Sequence, residues 1–170
     1  TMIWTKPDYK PLTHNRYEQT FEYMFIFSKG PPRTFEGIKD KPNVGYGRKV
    51  TGTWRDSAGT MHAMSGVGKK TIAEFGLRGN VWSIATKKGK RKDNHPAPFP
   101  ELLVKDHVLS WSNPCDTVLD PFLGSGVTGV VCRDTNRKFI GIERDTTYFE
   151  MARRHIETMP WEVPQLSLSE

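Results

Sequence analysis

Cysteine is almost missing from this sequence: Cys115 and Cys132 stand alone among 170 residues. Two isolated thiols frame neither a disulfide scaffold nor a zinc site, so both read as packing residues of a protein in a reducing cytoplasm. Long apolar runs are missing too. None approaches the roughly 18 residues of a membrane span, and the chain does not open with a basic stretch followed by an apolar one, as a secretory signal would. No membrane partner is therefore expected. His, Cys and Asp nowhere cluster at metal-ligand spacing, so no metal is expected either. The apolar fraction is only 36%, yet aromatic residues reach 11%. That suffices for one ordinary core, read as one domain with an elaboration.

Acidic residues are scarce in one place only. Residues 40–93 hold 12 Lys+Arg against 4 Asp+Glu, while the rest of the chain holds 13 against 15. A basic segment inside a near-neutral domain suits a polyanion partner. Within it Trp54, His62 and Trp82 lie among Arg48, Lys49, Arg55, Lys69, Lys70 and Arg78. Such a mixture can hold phosphates and stack on bases. The cluster Lys87, Lys88, Lys90, Arg91 and Lys92 suits phosphate contact without sequence preference. Residues 65–71 glance toward a phosphate loop and fail it, because Ala63 stands where the first glycine belongs and Lys70 where Ser or Thr should follow the lysine.

The most informative stretch runs from Thr117 to Gly129. A short apolar run ends in Asp120, and Gly124, Gly126 and Gly129 open a helix expected around residues 125–134. A second apolar run, 138–143, then ends in Glu143. This is the form of a βαβ unit whose first turn cradles a nucleotide-like ligand at a helix N-terminus. The two leading glycines allow a tight turn close to the ligand. Glu143 follows Gly124 at the distance where a carboxylate accepts from both ribose hydroxyls. The same glycines would also satisfy a dinucleotide-dependent oxidoreductase, which leaves Asp120-Pro121-Phe122 and the basic segment unexplained.

Around this unit, residues 1–6 read as a short strand. Residues 21–28 read as a strand apolar on both faces and therefore covered on both sides. Pro100 suits the first turn of a helix with Val104, Val108 and Trp111 on one face. A helix over 146–159 presents Tyr148, Ala152, Ile156 and Met159, Pro160 stops it, and 161–170 is a tail.

Asp120-Pro121-Phe122 before the glycines, with Asn94-His95-Pro96-Ala97-Pro98-Phe99-Pro100-Glu101 upstream, resembles the β class of amino-group DNA methyltransferases. The strands at 3–6 and 21–29 resemble those preceding that family's target-recognition region. The resemblance implies an α/β fold: an incomplete Rossmann-like methyltransferase fold with a mainly parallel sheet and an inserted basic target-recognition region. Its division would be 1–39 core strands, 40–93 recognition region, 94–160 cofactor-binding βαβ part and 161–170 tail. It implies S-adenosylmethionine as cofactor, S-adenosylhomocysteine as product, and methyl transfer to adenine N6 or cytosine N4 of double-stranded DNA, as in restriction–modification. Cofactor contacts would come from His95, Ala97, Phe99, Asp120, Phe122, Gly124, Ser125, Gly126, Thr128, Glu143, Arg144 and Asp145. Ala97, Pro98 and Phe99 replace the Thr-Gln-Lys of many relatives, so no lysine contact carries over.

One family element is absent from these residues. The family grips its target amine with Asp, Ser or Asn, then Pro-Pro, then an aromatic. The only Pro-Pro here is Pro31-Pro32, between Gly30 and Arg33. No catalytic residue is therefore assigned. The expectation is a C-terminal part of a methyltransferase, inactive alone, with a gap beside the 117–120 strand where the catalytic strand belongs. A second chain supplying that segment, or a homodimer, would complete it. A non-catalytic DNA-binding remnant is the alternative.

Overall fold

The computed structural model describes residues 1–7, 17–86 and 100–158. Along the chain come strands β1 (Met2–Thr5), β2 (Phe21–Met24), β3 (Lys39–Pro42), β4 (Thr53–Arg55), β5 (Met61–Ala63), β6 (Phe75–Leu77) and β7 (Val81–Ser83). Helix α1 (Glu101–Trp111), β8 (Thr117–Asp120), α2 (Val127–Asp134), β9 (Lys138–Gly141) and α3 (Thr146–Thr158) follow. These elements form two compact units, Thr1–Glu36 with Asn80–Glu170, and Gly37–Gly79.

In the larger unit β8 and β9 pair in parallel, Thr117 opposite Lys138 and Asp120 opposite Gly141, with α2 crossing between them. The βαβ unit expected from the glycine pattern is there. Its helix starts at Val127 rather than 125, because Gly126 holds a left-handed φ of 84° at the N-cap, a conformation only glycine adopts cheaply. Val131 and Cys132 of α2 meet Val108 of α1 in a cluster that Val104, Val118, Val127 and Phe139 extend. Cys132 has no exposed surface, and burial pushes its thiol up to about 11. The α3 face of Tyr148, Ala152 and Ile156 is partly or fully buried as its spacing predicts; Met159 lies outside the described residues.

A mainly parallel sheet was expected; the described strands form small, mixed ones. β1 pairs antiparallel with β2 and parallel with β7, while β8 and β9 stand as a separate pair. Among the described residues β8 has no strand on its other edge. β2 also ends at Met24, not at 28. Among the described residues it is an edge strand, and Phe21 meets Tyr23 edge to face while Tyr23, Phe25 and Phe27 stack in a row of exposed rings. The expected cover on both faces is therefore not present among the described residues. Trp82 departs from expectation as well. Only 5% exposed, it stacks on His107 with ring centroids 4.7 Å apart, and so serves the core rather than a surface that meets bases.

The smaller unit spans Gly37–Gly79, and β7 beyond it pairs with β1 in the larger unit. It consists of the antiparallel pairs β3–β6 and β4–β5 with one bridge from Lys49 to Thr71. None of its residues is buried. Backbone pairing, not an apolar core, holds it.

Candidate cofactor site and basic unit

The chain leaves β8 at Asp120, whose carboxylate braces the turn that follows. Oδ1 accepts from the Phe122 amide at 3.0 Å, and Oδ2 accepts from the Thr128 hydroxyl at 2.6 Å. One side chain thus ties the strand end, the turn and the first turn of α2. Gly124 at φ 53° and Gly126 turn the backbone between them. A Cβ on Gly126 would come within 2.9 Å of Ala152 Cα, and one on Gly129 would overlap Ile156. The first two glycines shape the turn; the third lets α3 and β9 close on α2.

Glu143 follows β9 and reaches back across the same turn. Its Oε2 accepts from the Gly124 amide at 2.8 Å and its Oε1 from the Asp145 amide at 2.9 Å. These backbone donors, that of Asp145 first, hold its carboxyl below the ordinary glutamate range. Each oxygen keeps a further lone pair, so the carboxylate remains an acceptor for a diol. Phe122 projects from the turn, 87% exposed. The first amides of α2 are orphaned by helix geometry and add a partial positive charge.

The other expected site residues divide by role. Asp145 caps α3, its Oδ1 accepting from the Thr147 and Tyr148 amides. Arg144 is exposed beside it. Ser125 is buried, and its carbonyl accepts from His155 Nδ1 at 2.8 Å. Sequence reasoning missed that contact, because no spacing rule links residues 30 apart. His95, Ala97 and Phe99 lie outside the described residues, as do Lys87, Lys88, Lys90, Arg91 and Lys92. Arg48, Lys49, Arg55, Lys69 and Lys70 are exposed in the smaller unit and form no ion pair among the described residues. Arg78 differs: it is committed to Asp40, with Nε donating to Oδ2 at 2.8 Å, and the guanidinium holds that carboxyl below its ordinary range.

A cleft of about 600 Å³ lined by Lys29, Arg33, Trp111, Asn113 and Thr117 opens at the opposite end of β8 from Asp120. It lies away from the glycine turn. No group of three or more potential metal ligands occurs among the described residues, and no described helix is long and apolar enough to cross a membrane.

Residues 1–154 match the model of the N6/N4 DNA methylase family. The sequence is 40% identical over 168 residues to the orphan methyltransferase M.BamHII of Bacillus amyloliquefaciens, covering 92% of this chain and 61% of the relative. It is 32% identical to the type II methyltransferase M.SmaI of Serratia marcescens, covering 91% of this chain and 44% of that protein. The chain thus spans about half the length of these curated relatives. Among solved structures, the M1.HpyAVI–SAM complex superposes with a TM-score of 0.59 at 26% identity, over 92% of this chain and 60% of that one.

Proposed function

The chain belongs to the N6/N4 family of DNA methylases, and we propose that it is the cofactor-binding and DNA-recognition part of a site-specific DNA methyltransferase. Its reaction would move a methyl from S-adenosylmethionine to adenine N6 or cytosine N4 of double-stranded DNA. The observation that carries this reading is the clamp of Glu143 on the Gly124 amide, with Asp120 and Thr128 bracing the other side of the turn.

The residues present suit that cofactor. Glu143 has acceptor capacity for a ribose diol, Phe122 offers an exposed ring, and Asp120 places negative charge near a sulfonium. The cofactor supplies an activated methyl, so the protein's task is to orient and to set the electrostatics. Asp120 and Glu143 hold the turn rigid before any ligand arrives, which lowers the ordering cost of binding. The basic smaller unit, read as the target-recognition insert of a Rossmann-like fold, would meet the phosphate backbone. The cytoplasm, where DNA and cofactor are both available, is the proposed compartment.

The sequence holds no polar-Pro-Pro-aromatic segment, and the edge of β8 that no described strand pairs with is where a strand bearing one would add. Whether supplied by the same protein, a second chain or a homodimer, that strand would complete the base pocket. Calorimetric titration with S-adenosylmethionine tests the cofactor reading. Binding is expected, weakened about 10- to 100-fold in Glu143→Ala by the loss of charge-assisted hydrogen bonds. A folded chain that binds nothing, or a variant that binds equally well, refutes the assignment. Methyl transfer to DNA by this chain alone would refute the need for a further segment.

A further inference from the structure

The β4–β5 hairpin is organised beyond what its own stability requires. Thr53, Trp54 and Arg55 pair with Ala63, His62 and Met61, and all six residues are exposed. Trp54 and His62 stand directly opposite each other, their rings stacked at 4.8 Å and 26°, yet Trp54 stays 53% exposed. At the tip, Asp56 Oδ1 accepts from the Ala58 and Thr60 amides at 3.0 and 2.9 Å, while Oδ2 lies 2.7 Å from His62 Nε2. One carboxylate thus shapes the turn and orients the imidazole, and the indole fixes the plane of that ring.

A carboxylate facing Nε2 can only accept, so Nε2 carries a proton, and the neutral tautomer that this contact selects has its lone pair on Nδ1. An oriented acceptor on an exposed two-stranded ribbon, with Arg55 on the ribbon and Arg48, Lys49, Lys69 and Lys70 in the same unit, has a matching partner. The major groove of duplex DNA admits a two-stranded ribbon and presents amino hydrogens only from adenine N6 and cytosine N4. Phosphates answer the unpaired cations.

We propose that the β4–β5 hairpin enters the major groove and that His62 reads an adenine or cytosine there, with Trp54 and Asp56 as its positioning residues. This rests on the reading that the chain binds duplex DNA. His62 then carries sequence information, whereas Lys69 and Lys70 carry affinity alone.

The test is selection of bound duplexes from a pool randomised over a central window, with anisotropy titration on the unselected pool. Wild-type chain should enrich a sequence. His62→Ala and Trp54→Ala should lower enrichment about tenfold at one A·T or C·G pair while changing affinity for the unselected pool less than about threefold. Trp54→Phe, which keeps a stacking face, should restore it, a rescue that damage to the fold would not give. Lys69→Ala should weaken binding to every sequence alike. Unchanged enrichment in both His62→Ala and Trp54→Ala, or a wild-type chain that binds without enriching any base, overturns the proposal. A wild-type chain that binds no duplex at low salt overturns the DNA-binding reading itself, and is seen before any variant is made.

Discussion

Single side chains here hold backbone as much as they offer chemistry. Asp120, Glu143 and Asp145, the acids expected to meet the cofactor, each accept from main-chain amides and so first build the loops that would present them, and Asp56 shapes its hairpin turn in the same way. His107 shows the opposite situation, a titratable group put to apolar use. It stacks on Trp82 and its Nε2 lies 3.1 Å from Met24 sulfur. Burial lowers its pKa, against the opposing charge of Asp106. A base whose folded pKa is depressed contributes stability that is present above its unfolded value near 6.5 and lost as pH falls through the folded value. Urea unfolding should therefore show stability falling below pH 6.5. His107→Leu should flatten part of that fall, and an identical slope in both proteins would rule the mechanism out.

At the level of elements, the βαβ unit depends on how closely α3 approaches α2. Gly126→Ala forces a left-handed residue and sets a methyl 2.9 Å from the Ala152 backbone. Left-handed strain and overpacking together should cost about 2–4 kcal/mol, read as a lower denaturation midpoint without a change in m-value. A loss below about 1 kcal/mol would mean that α3 can back away. The glycine spacing alone announced this turn, because few conformations fit two closely spaced glycines between a strand-ending acid and a helix. It did not announce that the third glycine faces Ile156 and Phe139, since that contact depends on where α3 folds back.

For the whole molecule, the two units rest on different physics. The larger has a packed core; the smaller is held by strand pairing and carries Arg48, Lys49, Arg55, Lys69 and Lys70 without ion pairs among the described residues. If each of these five meets one phosphate, the logarithm of DNA affinity should fall with that of salt concentration at a slope of about −4.5, a loss on the order of 500-fold between 50 and 200 mM. Anisotropy titrations across salt check this. A slope near zero would remove DNA backbone contact from the smaller unit's role.

The sequence by itself determined the local grammar. A strand ending in Asp120, a glycine turn, a helix and a second strand before Glu143 follow from residue types a few positions apart, and so does the charge imbalance of the middle segment. Tertiary structure decided what distance along the chain conceals. Trp82 and Trp54 look alike in sequence, each an aromatic in a basic stretch, yet one is buried on a strand of the larger unit and the other stands on an open hairpin. Arg78 and Arg55 look alike as cations, yet only Arg78 folds back onto a carboxylate 38 residues away. Burial and ion pairing depend on which distant segments meet, and local pattern carries no record of that.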